Sequence, residues 1–437
     1  MAIDFQFDPE RTVLGTVFTH AGEEEFALQE EDRLKHVLVI GKTGMGKTTL
    51  LRNMAVQDIY AGRGLGVIDP HGDLSRDLLD AIPAWRARDL VYIDPGDQER
   101  VVTFNILASV PRERIAATAA DVLATFKAVW GVVGWGARME RILYASIAAL
   151  IEAPGTTLLG LPLLLKDAAY RERILSCVHD PIIRGFFVDE YATWDDDYRA
   201  AAIDPVLNKI EQLLSAPAVR ATVGTVTSSI DFAAIMDEKK ILIANLSKGV
   251  LGPGHAQLLG SVLVSGFSHA AMARAVFDER ERPRVPFFLF ADEIQNFATE
   301  SFGEIASEAR KMKLGLVLGH QYLEQLPRQL RAAILGNVGS IIAFQLSGAD
   351  SETIAAEIGL RKGDMLSQLR PQEVWAKHAT YGGPSSPRLL PRIEVNATGR
   401  EAALKQNRLR HTYPRRKVEE KIAKFLGRSE EPRARDA

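Results

Sequence analysis

The sequence of 437 residues contains one cysteine, Cys177. No internal disulfide can form, so non-covalent burial alone must hold the fold together. The apolar neighbours of Cys177 (Ile174, Leu175 and Val178) predict a buried helix position, not a nucleophile. Charge of one sign is also scarce. Lys and Arg number 53 against 56 Asp and Glu, a net charge of −3. That excludes a protein that coats nucleic acid by bulk positive charge and leaves localised contacts only. The first residues, Met1-Ala2-Ile3-Asp4, have no basic-then-apolar leader pattern. No uncharged apolar run reaches the ~18 residues that a membrane-spanning helix needs. The nearest, Leu258 to Phe277, carries His269 and Arg274 and reads as a buried helix of a soluble fold. These absences predict a cytoplasmic protein without an integral membrane segment. The length exceeds the ~250–300 residues that one hydrophobic core fills, so two or three domains are expected.

Several short apolar runs stand out. Val37–Ile40, Gly66–Ile68, Leu90–Ile93, Ile241–Leu246, Pro286–Phe290, Leu314–Leu318 and Ser340–Gln345 are mostly rich in Val, Ile, Leu or Phe. They lack polar alternation, which is the pattern of strands covered on both faces. Helical stretches lie between several of them, so an α/β fold with a mainly parallel sheet is expected. From about Pro111 to Met236 strands give way to helical periodicity, as in Arg138–Glu152 and Pro205–Leu214. The expected organisation is an α/β domain made of residues 1–110 and 237–398, a helical insertion at 111–236, and a basic tail at 399–437. Within the tail Val418–Leu426 reads as an amphipathic helix, and Arg428–Ala437 as disordered.

The run Gly41-Lys42-Thr43-Gly44-Met45-Gly46-Lys47-Thr48 fits the phosphate-binding pattern G-x-x-x-x-G-K-[ST]. A strand enters it, and an amphipathic helix carrying Leu50, Leu51 and Met54 is expected to leave it. Glycines let the loop wrap with backbone N–H groups inward, and the helix N-terminus places partial positive charge where phosphates sit. Gly41 through Thr49 are therefore the candidate nucleotide contacts. Lys47 suits the β- and γ-phosphates of ATP, and the Thr48 hydroxyl suits Mg²⁺. The run Pro286–Phe290 ends in Ala291-Asp292-Glu293. Asp292 is expected to hold the Mg²⁺ shell and Glu293 to act as general base on the attacking water. Gln321, after the strand Leu314–Leu318, is a candidate sensor of the γ-phosphate. Arg310 is a candidate finger toward a neighbouring subunit's nucleotide, the alternative being a solvated helix end. Asp69, His71 and Asp73 supply too few ligands for a metal site. Asp69 is expected at a strand end lining the cleft, with Gly72 in a tight turn.

Together these motifs resemble the HerA–FtsK superfamily of P-loop motor ATPases, closest to the type IV conjugative coupling proteins of the TraG/TraD kind. The matching residues are Asp32-Arg33, His36, Gly41–Thr48, Val67–Leu74, Tyr92–Pro95, Phe104–Leu107, Asn245–Gly249 and Asn337–Ser340, and the likeness runs over roughly residues 12–425. The resemblance implies a RecA-like core with an inserted helical domain, assembled as a homo-hexameric ring with DNA moving through its pore. It also implies secretion or DNA-processing partner proteins, and it raises Arg310 as the trans-acting arginine and Gln321 as its companion. Membrane coupling proteins begin with transmembrane helices, and none is read here, so a soluble relative is expected. The alternatives are a ring-forming regulatory or assembly ATPase that does not translocate, and a motor for protein or pilus export.

Overall fold

The structure is a computed structural model that describes residues 7–20, 22–130, 135–299, 302–379 and 383–427. Its strands are β1 (Arg11–Thr19), β2 (Gly22–Gln29), β3 (Val37–Ile40), β4 (Gly64–Asp69), β5 (Leu90–Ile93), β6 (Arg100–Val101), β7 (Ile241–Asn245), β8 (Phe287–Ala291), β9 (Leu314–His320), β10 (Ser340–Ala343), β11 (Trp375–Lys377), β12 (Pro384–Ser385), β13 (Arg388–Leu389) and β14 (Tyr413–Pro414). Each apolar run of the sequence becomes a strand. Nine strands form one sheet in the order β12-β11-β10-β3-β9-β8-β4-β7-β5. The seven strands from β10 to β5 pair in parallel, and only β11 and β12 add antiparallel. All residues of β3, β4, β8 and β9 are buried, as a sheet covered on both faces requires.

The chain divides into two compact units. The first comprises residues up to Ile93, Asp231–Ser247 and Gly266–Asn407, and the second Asp94–Ile230, Lys248–Ser265 and the residues from Arg408 on. This division differs from the sequence boundaries. The chain leaves the sheet unit directly after β5, not near residue 110, and residues 248–265 group with the helical unit. Residues 399–437 are not one tail. Helix Arg400–His411 belongs with the sheet unit as far as Asn407, and helix Arg415–Phe425 lies in the second unit. Residues 428–437 lie outside the described residues.

The sheet unit carries a second, antiparallel sheet, β13-β1-β2, which the sequence reading missed. The β2 segment reads Gly22-Glu23-Glu24-Glu25-Phe26, and its first four residues are exposed, so no apolar run marks it. A buried charge cluster ties this sheet to the core. Arg33 bonds Asp58 through both guanidinium ends at 2.6 Å, and Arg63 bonds the same carboxylate at 2.6 Å. Arg33 and Arg63 also reach the Thr12 hydroxyl in β1, and the Arg33 guanidinium lies 3.7 Å from the Phe288 ring centre.

At the open edge of the large sheet, the Asn407 side chain accepts the Tyr92 N–H at 2.9 Å and donates to the Tyr92 carbonyl at 3.0 Å. One amide thus fills the ladder positions of a missing neighbour strand.

Helices build the second unit, among them Ile115–Trp130, Ala137–Glu152 and Asp196–Leu214. The Trp130 and Trp135 rings lie 6.1 Å apart, with the Lys209 ammonium over both. Gly131 and Gly134 lie outside the described residues. Cys177 departs from expectation: it sits half-buried in the turn after helix Ala168–Leu175, because the helix ends two residues earlier. The apolar helix Pro253–Val276 is, by length and composition, able to cross a membrane. Within the fold, however, 78% of its apolar window is buried.

Candidate functional site

Parallel pairing gathers the carboxyl ends of β3, β9, β8 and β4 along one edge of the sheet, the position where open α/β sheets bind ligands. Each end delivers a residue singled out by the sequence. β3 runs into Gly41 and the glycine loop. β9, between β3 and β8, delivers His320 and Gln321. β8 delivers Asp292 and Glu293, and β4 ends in Asp69.

The glycine loop is pinned by backbone bonds. The Gly41 N–H donates to the His320 carbonyl, Lys42 N–H to Gln345 and Gln372 N–H to Met45. A Cβ on Gly41 would lie 2.5 Å from the Phe344 Cβ, so only glycine lets the loop pass the Phe344 backbone. Gly46, at φ 117°, turns the chain into helix Lys47–Tyr60. That helix is not amphipathic as expected. It is buried on all sides from Leu50 to Ile59, including Arg52, Asn53, Gln57 and Asp58. Its polar residues find partners inside: Asn53 and Arg52 bond the segment at Pro391–Ile393, and Gln57 bonds the backbone of Val13 in β1.

Lys47 is buried, and its ammonium donates to the carbonyls of Gly41 at 2.6 Å and Lys42 at 2.9 Å. Burial lowers its pKa, while the nearby Asp292 and Glu293 charges oppose that shift. Thr48 is exposed beside it, and Thr49 is half-buried. Asp292 is buried, and its pKa is pushed up to about 6, first by burial and then by the Asp69 and Glu293 carboxylates. Three carboxylates, Asp69, Asp292 and Glu293, gather at one edge beside Lys47 and His71. Asp69 is otherwise engaged: its two oxygens accept the N–H groups of His71 and Ser75, closing the turn in which Gly72 takes φ 88°.

Glu293 has φ 57°, a left-handed backbone that few non-glycine residues adopt. One carboxylate oxygen accepts the Gln295 amide at 2.6 Å, and the other accepts the Gln321 amide. The sequence pointed to Gln321; it gave no sign of Gln295, or of the His320 ring that meets Gln295 at 2.7 Å. The Gln295–Glu293 bond is local, two residues apart, but no residue spacing encodes the His320–Gln295 bond, which forms between the ends of adjacent strands.

Arg310 is not brought to this edge. It is exposed and lies in the turn before β9 begins at Leu314. Its charge helps lower the pKa of His36, which burial is the main force in pushing to about 4. His36 immediately precedes β3, so Arg310 sits at the amino edge of the sheet. The seven residues of β9 span ~20 Å, at ~3.3 Å each. A guanidinium there cannot reach the phosphate loop of its own chain.

No family model and no curated protein matches the chain. Solved structures do. The bacterial conjugative coupling protein TrwB, in an unbound form lacking its N-terminal segment, matches with a TM-score of 0.61 at 16% identity, over 89% of this chain and 91% of that one. TrwB in complex with ADP and Mg²⁺ matches with a TM-score of 0.60 at 17% identity, covering 86% and 89%. VirB4 of Thermoanaerobacter pseudethanolicus matches with a TM-score of 0.57 at 13% identity, covering 90% and 98%. The chain therefore has the fold of these proteins, a RecA-like P-loop core with a mainly parallel sheet.

Proposed function

We propose that this chain is an ATP-hydrolysing motor of the coupling-protein kind, working in the cytoplasm as a homo-oligomeric ring, a hexamer, that moves DNA. The observation that carries the reading is the meeting of Lys47, Asp292, Glu293 and Gln321 at the carboxyl edge of one parallel sheet. The same fold in TrwB holds ADP with Mg²⁺ and a non-hydrolysable ATP analogue.

The residues fit MgATP. Lys47, which now satisfies its ammonium on two loop carbonyls, exchanges them for the β- and γ-phosphates. Thr48 and Asp292 would hold Mg²⁺, which when bound would neutralise phosphate charge. Glu293 takes the proton of the attacking water. Gln321 shares a hydrogen bond with that base and faces the γ-phosphate. Arg310, at the far edge of its own sheet, suits the nucleotide of a neighbouring copy, where such a finger contributes ~10³–10⁵ in rate. Backbone grip on DNA needs few cations per subunit, so a net charge of −3 is compatible with it.

ATPase turnover measured with and without single- and double-stranded DNA, with particle mass in the same buffer, tests the reading. The expected result is DNA-stimulated hydrolysis by a ring-sized particle, lost in Lys47→Ala. DNA affinity should fall as salt rises and show weak sequence preference. Hydrolysis indifferent to DNA would replace the DNA motor with an assembly ATPase or a protein-export motor. Near-normal turnover in Lys47→Ala would remove the nucleotide site from Gly41–Thr49.

A further inference from the structure

We propose that Gln295, held in place by the His320 ring, is a positioning residue for Glu293. This rests on the reading of Glu293 as the general base.

The bond directions follow from donor chemistry. A carboxylate only accepts, so the Gln295 amide must present Nε2 to Glu293 at 2.6 Å. Its Oε1 is then left for His320 Nδ1 at 2.7 Å. An amide oxygen also only accepts, so the proton of the His320 ring is on Nδ1. The ring is fully buried, and burial pushes its pKa down to about 4, which keeps it neutral near pH 7. A buried imidazole whose bonded nitrogen faces the amide fixes which way that amide points.

The chain His320–Gln295–Glu293 supplies what a base on a strained backbone lacks. Gln295 takes one carboxylate oxygen and Gln321 the other, so the plane of the carboxylate is set from both sides. If Gln321 leaves Glu293 for the γ-phosphate, the hold from Gln295 remains. His320 also accepts the Gly41 N–H through its backbone carbonyl at 3.2 Å. One residue thereby contacts the phosphate loop through its main chain and Gln295, the partner of the base, through its side chain. Glu293, Gln295, His320 and Gln321 all belong to the same compact unit.

The test uses full-length Gln295→Met, His320→Leu, His320→Asn and Glu293→Gln. Steady-state ATP hydrolysis, ADP binding and thermal midpoint are measured for each. Gln295→Met is the primary variant because its site is half-buried and the side-chain volume is kept. Its kcat should fall ~10–100-fold, the usual effect of a misaligned catalytic group, with ADP affinity within about twofold of wild type. His320→Leu should do the same. His320→Asn, whose side-chain N–H occupies the place of Nδ1–H, should recover most of the rate.

Wild-type kcat in Gln295→Met, with Glu293→Gln inactive, would overturn the positioning role while sparing the base. Joint loss of kcat, ADP binding and thermal midpoint in Gln295→Met would make the residue merely structural and overturn it too. Wild-type hydrolysis in Glu293→Gln would remove the base itself, and the inference with it.

Discussion

An ionised carboxylate at Asp292 is costly in the metal-free protein. Its pKa of about 6 in the fold stands above the ~3.9 of an unfolded chain. The folded state therefore binds that proton more tightly, and stability is gained as pH falls from above 6 toward 4. Above pH 6 the ionised group destabilises the fold, on the order of 1–3 kcal/mol. Asp292→Asn removes the charge and keeps the shape. At pH 8 without nucleotide or metal it should melt a few degrees higher than wild type. At pH 4 the difference should vanish, and ATP hydrolysis should be lost at every pH. Equal melting temperatures at pH 8 would show that no such strain exists. Residues of this type were legible in the sequence. Lys47, Asp292 and Glu293 stand at fixed places after apolar runs, so the pattern alone singles them out. Gln295 and His320 were not legible, because an amide and an imidazole become partners only once β8 and β9 lie side by side.

Elements reveal a second limit of pattern. Runs buried on both faces, such as Val37–Ile40, announce themselves by being continuously apolar. β1 and β2 do not, since their pairing exposes Glu23, Glu24 and Glu25. Helix Lys47–Tyr60 misleads in the opposite way: its polar residues look like a solvated face but are sunk among partners. Asp58 is the sharpest case. Burial alone would raise its pKa, yet Arg33 and Arg63 hold it below the ordinary carboxylate value. Its charge stabilises the fold at neutral pH, and that contribution is lost as pH falls through the depressed pKa. Asp58→Asn leaves two buried guanidinium groups without a counter-charge, at a cost of ~3–5 kcal/mol. Urea unfolding at pH 7 should show a correspondingly lower midpoint. A shift below ~1 kcal/mol would mean that the arginines find other partners or reach water.

At the scale of the whole molecule, the alternation of apolar runs and helices predicted a sheet interrupted by a helical stretch, and both are present. The points of passage were misplaced, because the segments at 94–110 and 248–265 differ little in composition from their surroundings and are assigned only by contact. Arg310 belongs to this scale, since its proposed role requires a second copy. Arg310→Ala should leave ATP binding intact and cut turnover by ~10³-fold or more. Mixing it with Glu293→Gln should restore part of the activity, because a mixed ring can set an intact arginine beside an intact base. Full turnover in Arg310→Ala, or no recovery on mixing with co-assembly demonstrated, would place the arginine outside the neighbour's site. β5 ends a nine-stranded sheet, and an unpaired edge is a template on which another chain can add a strand. The Asn407 amide occupies the Tyr92 N–H and carbonyl that such an added strand would have to bond. The Asn407 side chain and the burial of Leu90, Val91 and Ile93 thus deny that edge to an added strand.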